Sequence, residues 1–384
     1  MNNHQIERSN TGTATLGRSR HTIQILVALT LGVTTAACTP QSPDVATPPT
    51  GGTASPAAGS GAAPASGGGS SSLSGAGASF PAPLYQRWFA DYNKANPSTQ
   101  ISYQSVGSGA GIEQFLAGTV DFGATDAPLK PEERAKFKAK YNADPIQVPM
   151  TGGSVVFAYN LEGVKDLKLS RAAYCGIAAG KIKKWNDPAI AKSNPGAKLP
   201  DQAIQFVHRS DGSGTTYQFT THLKAACGAT WTAGANKSIS WPTGTGAKGN
   251  EGVAAQIQQT PSSIGYVEYS YGKQTNLTMA AIENKSGQIV APSPESGAEA
   301  FVGEKVPADL ALTVADSANP KAYPISGLTW LLLYPQKDAA KQTALKSVID
   351  WSLTTGKATA TELGYVPLEA SLVAKVKEEL NKVK

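Results

Sequence analysis

The chain has 384 residues, which is enough for about two domains. Its hydrophobic fraction of 40%, with 39 Gly in addition, is sufficient for a folded core, so disorder of the whole chain is not expected. The net charge of +6 is too small and scattered for a nucleic-acid-binding surface, and three Cys and four His offer little for a metal site. We therefore expect no nucleic-acid partner, no metal and no cofactor.

Residues 1–37 have the pattern of a bacterial secretory signal. A polar, basic segment precedes the apolar run of residues 23–33 and the small residues 34–37. The apolar run is shorter than the roughly 20 residues that a membrane span needs. Cys38 follows at the position of the acylated cysteine of a bacterial lipobox, which this segment resembles. We predict an extracytoplasmic protein anchored to the membrane by lipidated Cys38; the alternative is an ordinary signal followed by an incidental cysteine.

The segment after Cys38 is predicted to be a flexible linker that ends at residue 74. Residues 39–74 consist mainly of Ser, Ala, Gly, Pro and Thr, and Asp44 is their only charged residue. Such a segment cannot bury enough apolar surface to offset the entropy lost on ordering. A coil of this length has an end-to-end distance of about 30 to 40 Å, which would hold a folded domain near a membrane.

Two cysteines remain in the rest of the chain, Cys175 and Cys227. In an exported protein, an even number of remaining cysteines favours a disulfide, here between these two. The alternative is a pair of buried free thiols.

From residue 75 onward, short apolar runs alternate with stretches of helical periodicity, which is typical of an α/β domain. The runs predicted as strands are residues 101–103, 120–124, 154–159, 204–208, 264–269 and 328–333. Three of the helices between them begin with glycine and a hydroxyl residue, near Ser79, Ser108 and Ser213. We expect Ser79 to be the N-cap of its helix.

These helix starts indicate an anion site. A helix start has about four unpaired backbone N–H groups and a partial positive charge, glycine permits close approach of a ligand, and Ser or Thr adds a donor. Simple N-capping would explain one such turn. Three of them, one of which includes Arg209, favour a shared oxyanion site.

Asp126 follows the apolar run 120–124, at a strand end where open α/β sheets place ligand groups. An ionised carboxylate only accepts hydrogen bonds, so it is costly beside an anion unless the ligand supplies a proton. Hydrogen phosphate has such a proton and sulfate does not. Asp126 therefore favours phosphate, although an Asp before Pro can also be a simple turn residue.

Six segments, in this order, resemble the PstS-type phosphate-binding proteins of phosphate ABC transporters. They are residues 75–83, 106–111, 120–129, 209–215, 247–252 and 265–269. The similarity extends from about residue 74 to the C-terminus and is weakest over residues 281–320.

The resemblance implies a set of phosphate ligands, in which Phe80 and Gly214 act through their backbone N–H groups. The set is Ser79, Phe80, Ser108, Asp126, Arg209, Asp211, Ser213, Gly214 and Thr215. Within it, Asp211 is implied to pair with Arg209 and orient its guanidinium, which suits two phosphate oxygens.

The resemblance also implies the α/β, two-lobed periplasmic binding protein fold of the class II type, with phosphate enclosed in the cleft at the hinge. Lobe I would comprise residues 74–159 and 321–384, and lobe II residues 160–320. The implied function is high-affinity capture of phosphate by a monomer, without catalysis, and its delivery to the permease subunits of an ABC transporter.

Other functions remain open at this point. The same fold could bind sulfate or molybdate, or the protein could be a phosphate-releasing hydrolase or a surface signalling lipoprotein. Against a hydrolase, only His208 and His222 lie outside the signal, and the chain has neither a G-x-S-x-G elbow nor a nucleotide P-loop. We expect His208 to end a strand with its side chain turned away from the site.

Overall fold

The structure, a computed structural model, describes residues 71–384, which belong to one compact unit. The predicted signal, Cys38 and most of the predicted linker lie outside the described residues. Within the described part of the chain, no helix has both the length and the apolar character of a membrane span.

The described residues form twelve strands and twelve α-helices, which alternate along most of the chain. The strands are β1 (Ser71–Gly77), β2 (Thr99–Ser105), β3 (Phe122–Thr125), β4 (Ile146–Asn160), β5 (Lys168–Leu169), β6 (Gln205–Arg209), β7 (Thr245–Ala247), β8 (Ser263–Glu268), β9 (Thr278–Met279), β10 (Ala281–Glu283), β11 (Ile289–Val290) and β12 (Ser326–Leu333). The helices are α1 (Ala82–Ala95), α2 (Ser108–Ala117), α3 (Pro131–Tyr141), α4 (Arg171–Ala178), α5 (Pro188–Ala191), α6 (Gly214–Ala226), α7 (Gly249–Gln259), α8 (Tyr269–Gln274), α9 (Pro294–Ala298), α10 (Ala339–Leu353), α11 (Lys357–Leu363) and α12 (Ala370–Leu380).

One large sheet has the strand order β2-β1-β3-β12-β4-β8-β6-β7, and β9 also pairs with β4. On one side, β1 lies between β2 and β3 and is parallel to both. On the other side, β6 lies between β8 and β7 and is parallel to both. A separate three-stranded sheet contains β11, β10 and β5. The large sheet therefore contains two parallel groups, β1–β3 and β6–β8.

The long strand β4 joins the two groups. Its residues 146–154 pair antiparallel with β12, and its residues 155–160 pair antiparallel with β8. Almost the whole of β4 is buried, as is all of β12. β4 therefore runs through the middle of the hydrophobic core and connects the halves of the sheet.

Strand β1 begins at Ser71, inside the range that the sequence predicts as linker, and it includes the glycines predicted as a turn. The prediction was wrong here because β1 is held by close backbone packing that its small residues permit. A Cβ on Gly75 would lie 2.1 Å from the Phe122 ring, and one on Gly77 would lie 2.0 Å from the Ala124 carbonyl oxygen. Glycine inside a strand often marks such close approach, and Leu73 supplies a fully buried side chain.

Three helices bury the apolar faces that the spacing of their side chains predicts. On α1, the side chains at Leu84, Trp88 and Tyr92 and the neighbouring Tyr85 and Phe89 are buried, as their spacing predicts. On α2, Ile112 and Phe115 are buried, and Leu116 is partly buried. On α6, Phe219 and Leu223 are fully buried, and Ala226 packs against the core while partly exposed.

Cys175 and Cys227 form a disulfide, with their Cα atoms 5.6 Å apart. The bond joins α4 to the C-cap residue of α6, and both cysteines are buried. The predicted disulfide is therefore present, and it links the end of α6 to α4.

Candidate functional site

The predicted site residues lie at the carboxyl ends of the two parallel groups of strands. Ser79 and Phe80 follow β1, Ser108 follows β2 and Asp126 follows β3; Arg209 is the last residue of β6. Open α/β sheets bind ligands at this edge. The residues of the two groups contact one another directly, so both groups contribute to one cluster.

Ser108 joins the two groups of strands. Its Oγ accepts hydrogen bonds from the backbone N–H of Asp126, at 3.2 Å, and from that of Gly214, at 3.1 Å. Gly214 lies so close to the other segments that a Cβ on it would be 2.5 Å from both Asp126 Cβ and Ser108 Oγ. Only glycine at this position allows the start of α6 to approach Asp126.

Arg209, Asp211 and Thr215 form the second part of the cluster. The guanidinium of Arg209 is buried and donates from Nε to Asp211 Oδ1 at 2.7 Å and from Nη2 to Oδ2 at 2.5 Å. Its Nη1 donates to Thr215 Oγ1 at 3.4 Å. The carboxylate of Asp211 thus holds one edge of the guanidinium, as the resemblance implies.

Ser79 does not cap α1, contrary to the prediction. The N-cap residue of α1 is Pro81, which has no side chain that could cap the helix. The helix begins at the next residue, and the fixed φ angles of Pro81 and Pro83 favour its first turn. The Ser79 hydroxyl accepts hydrogen bonds from Asn250, at the start of α7, so it is directed toward the other group of strands. The carbonyl of the next residue, Phe80, accepts from Tyr365 Oη at 2.8 Å.

Ser213 is the true N-cap among the three predicted helix starts. Its Oγ accepts from the backbone N–H of Thr216 at 3.0 Å, and its own N–H donates to the Lys237 carbonyl at 2.9 Å. Because that oxygen already accepts from Thr216, the hydroxyl proton of Ser213 remains available as a donor. The structure thus places the predicted site residues near one another, and all of them are buried except the partly buried Asp211.

Burial controls the ionisation of Asp126. Its side chain is 1% exposed and lies in a region with little solvent, which raises its pKa to about 7. Its Oδ1 has no hydrogen-bond partner among the described residues. The site thus presents a buried acceptor, a group that a ligand carrying a proton can satisfy.

The Arg209–Asp211 pair stays ionised. Burial alone would lower the pKa of Arg209, but the hydrogen bonds and charge of Asp211 outweigh it and hold this pKa above its ordinary value. Burial likewise opposes the ionised form of Asp211, but Arg209 lowers the Asp211 pKa below its ordinary value. The cluster therefore combines one fixed cation with one fixed anion and the titratable Asp126.

Glu268, at the end of β8, is a second buried carboxyl beside this region. It is fully buried, and burial raises its pKa to about 8. Its Oε2 accepts from the N–H and hydroxyl groups of Ser270, whereas Oε1 has no partner among the described residues. The charged form is therefore disfavoured at neutral pH.

We predict that Glu268→Gln stabilises the protein at alkaline pH. The folded state keeps the Glu268 proton at pH values where the unfolded chain, with an ordinary pKa of 4.5, has released it. Folded protein then binds more protons than unfolded protein, so stability should fall by about 1.4 kcal/mol per pH unit between these two pKa values. Urea unfolding from pH 5 to pH 8, without added anions, should show that the free energy of unfolding of the variant increases relative to that of wild type as the pH rises. Parallel pH profiles would contradict the assignment.

Neither histidine outside the predicted signal contributes to the cluster. His208 stacks on Trp241, with ring centroids 4.7 Å apart, and its Nδ1 faces the Arg209 carbonyl at 3.0 Å. His222 is buried between Tyr174 and the Ala315 carbonyl, and burial lowers its pKa to about 4. Across residues 71–384, no cluster of three or more His, Cys, Asp or Glu side chains could hold a metal.

The sequence did not assign Asn250, which links the two parts of the cluster. Its amide Nδ2 donates to Ser79 Oγ at 2.9 Å and to Thr215 Oγ1 at 3.0 Å. The sequence feature that could have indicated Asn250 as a site residue is its position at another glycine-containing helix start, residues 247–252. Glu268 was also unassigned, because nothing in the local sequence indicates that its carboxyl is buried.

Comparison with known proteins places the chain among binding proteins. A sequence model described as a PBP superfamily domain matches residues 60–355. The chain is 43% identical to the phosphate-binding protein PstS of Pasteurella multocida (strain Pm70) over 311 residues, which cover 79% of this chain and 88% of the relative. It is 42% identical to the PstS of Xylella fastidiosa (strain 9a5c) over 306 residues, which cover 78% of this chain and 82% of that relative.

A solved structure shows the same fold. It is that of the high-affinity periplasmic phosphate-binding protein PfluDING bound with phosphate, with a TM-score of 0.68 and 24% identity. The match covers 80% of this chain and 93% of that one. The likeness confirms the predicted α/β, two-lobed periplasmic binding protein fold.

Proposed function

The chain belongs to the PstS family of phosphate-binding proteins within the PBP superfamily, and from this premise we propose that it captures inorganic phosphate outside the cytoplasmic membrane and delivers it to an ABC transporter permease for import. The observation that carries the proposal is the convergence of the predicted ligands on one buried cluster between the two groups of strands.

The chemistry of the cluster suits a phosphate ion that retains a proton. Arg209 supplies a fixed positive charge, and the starts of α2 and α6 supply backbone N–H groups and the positive ends of helix dipoles. The hydroxyls of Ser79, Ser108 and Thr215 add neutral donors. Asp126 is the acceptor for the proton of the ligand. Sulfate and molybdate, which lack that proton at neutral pH, are disfavoured by the same carboxylate.

We propose that residues 74–159 and 321–384 form lobe I and residues 160–320 form lobe II. The pairing partner of β4 changes from β12 to β8 between Ser154 and Val155. This change supports a passage of the chain from lobe I to lobe II near the proposed boundary. Closure of the lobes on phosphate would exclude water and strengthen each hydrogen bond to it. The closed, loaded monomer would then be the form that the permease recognises.

The same geometry supports binding without catalysis. Hydrolysis of a phosphate ester needs a group that activates water, and both histidines of the described chain are occupied elsewhere: His208 against Trp241, His222 against Tyr174 and Ala315. We propose that the protein is not an enzyme and releases its ligand unchanged.

We propose that lipidated Cys38 anchors the protein to a bacterial membrane on the extracytoplasmic side, periplasmic or cell-surface, with residues 39–74 as the tether. The proposal rests on the sequence pattern of residues 1–38. We predict that Cys38→Ala moves the protein from the membrane fraction to the soluble fraction while leaving phosphate affinity unchanged, because the site lies far along the chain. Equal fractionation of variant and wild type would refute the anchor.

The proposed function is tested by titration and turnover on the same preparation. We expect phosphate to bind the purified protein with one site per chain and a submicromolar Kd, and phosphate esters to remain uncleaved during prolonged incubation. Sustained ester cleavage would favour the hydrolase, and failure to bind phosphate would overturn the proposal.

A further inference from the structure

Asn250 makes four hydrogen bonds, and they determine how its amide is oriented. Its Oδ1 accepts from the backbone N–H of Glu268 at 2.9 Å. A backbone N–H can only donate, so the atom that faces it must be the amide oxygen. The amide nitrogen therefore faces the hydroxyls of Ser79 and Thr215, at 2.9 and 3.0 Å, and Asn250 is fully buried.

The hydroxyl of Ser79 receives two hydrogen bonds from this one residue. The backbone N–H of Asn250 donates to Ser79 Oγ at 3.1 Å and the side-chain Nδ2 donates at 2.9 Å. A serine hydroxyl has two acceptor positions and one proton. With both acceptor positions in use, the proton of Ser79 is left to donate to a ligand.

Thr215 is held in the same way. Its Oγ1 accepts from Asn250 Nδ2 at 3.0 Å and from Arg209 Nη1 at 3.4 Å. Ser108 differs, because its Oγ accepts from the backbone N–H groups of Asp126 and Gly214 and also donates to Asp126 Oδ2 at 3.5 Å. The hydroxyls of Ser79 and Thr215 are each held by two N–H donors, which leaves their own protons free to donate to a ligand.

We propose that Asn250 is a positioning residue that orients the hydroxyl protons of Ser79 and Thr215 toward the bound anion. Without its amide, either hydroxyl can rotate and present a lone pair, which repels an anion. Because Ser79 follows β1 and Asn250 lies in the first turn of α7, the same amide also links the two halves of the site. The inference rests on the proposed phosphate function and deepens it.

A double-mutant cycle tests the inference. Phosphate affinity is measured by titration calorimetry for wild type, Asn250→Ala, the Ser79→Ala/Thr215→Val variant, and the triple variant. We expect Asn250→Ala alone to weaken phosphate binding by about tenfold to a hundredfold. In the background that lacks both hydroxyls, the same substitution should change affinity by less than about threefold, since its effect passes through those hydroxyls. Equal losses in both backgrounds would overturn the inference.

A second variant tests the inference in case Asn250→Ala misfolds. A control variant distinguishes a loss of phosphate affinity from a loss of stability. Asn250→Asp keeps the shape and the acceptor for the Glu268 N–H but cannot donate at pH 8, so it should bind phosphate at least as weakly as Asn250→Ala. Asn284→Ala removes another buried, hydrogen-bonded asparagine, none of whose partners belongs to the cluster, and it should lower stability without changing phosphate affinity. If wild type fails to bind phosphate, the proposed function fails; if wild type binds and Asn250→Asp binds equally well, the positioning role alone fails.

Discussion

Arg209→Ala is expected to weaken phosphate binding by a few kcal/mol, a factor of about a hundred or more, as loss of a buried charge-assisted contact should. Arg209 is the cation of the cluster, it is buried, and its guanidinium is held by Asp211 through two hydrogen bonds. Without it, the carboxylate of Asp211 remains unpaired beside the anion. Titration calorimetry with phosphate measures the loss directly.

Two further variants sharpen this prediction. Arg209→Lys keeps the charge but loses the planar fork that can bond Asp211 and a ligand together, so we expect an affinity between those of wild type and Arg209→Ala. Arg171→Ala removes a comparable ion pair, with Asp316 at 2.8 Å, outside the cluster. It should reduce stability and leave phosphate affinity unchanged. An unchanged affinity in Arg209→Ala would refute the site.

Asp126→Asn is expected to raise sulfate affinity by at least about tenfold at pH 8 and to weaken phosphate binding. Burial raises the pKa of Asp126 to about 7, so at pH 8 its carboxylate is largely ionised and can only accept a hydrogen bond. Phosphate supplies the required proton and sulfate cannot. The amide of the variant can donate to either anion, which removes the discrimination.

The sulfate affinity of the wild-type protein is expected to increase as the pH falls. As the pH falls through the pKa of Asp126, the carboxyl becomes protonated and can donate to sulfate, so wild type should bind sulfate more tightly at pH 5.5 than at pH 8. The Asp126→Asn variant should lose most of this pH dependence. Competition titrations with sulfate at both pH values check the prediction, and a variant that rejects sulfate as strongly as wild type at pH 8 would contradict it.

Local sequence patterns predicted six of the twelve described strands and the position of the candidate site at the ends of strands. The apolar runs correspond to β2, β3, β4, β6, β8 and β12, because alternation and apolar composition are local properties. The predicted ligands lie near one another because they stand at or soon after the carboxyl ends of strands, and parallel strands end at a common edge. The resemblance supplied their individual roles, which remain predictions.

The features that were missed depend on long-range packing. Strand β1 is held by contacts of Gly75 and Gly77 with β3, some 47 residues away, and its composition locally resembles a linker. The Ser79 hydroxyl bonds Asn250, which is 171 residues distant, rather than its own helix start. The burial of Glu268 likewise depends on neighbours that are distant in sequence. None of these contacts has a local signature.

The small net charge of the chain agrees with this site. Apart from Arg209, the donors in the cluster are hydroxyls, an amide and backbone N–H groups, and the only fixed positive charge is paired with Asp211. An anion bound there would be held chiefly by neutral dipoles in a buried region, where each hydrogen bond is stronger than in water. Such a site can reject a fully ionised competitor by means of a single carboxylate.

Calorimetric titration of phosphate and sulfate into the ligand-free wild-type protein at pH 8 tests the central claim most directly. We predict one phosphate bound per chain with a submicromolar Kd, and sulfate binding at least a thousandfold weaker. Failure to bind phosphate, or binding of sulfate with comparable affinity, would contradict the account of a phosphate site selected by Asp126.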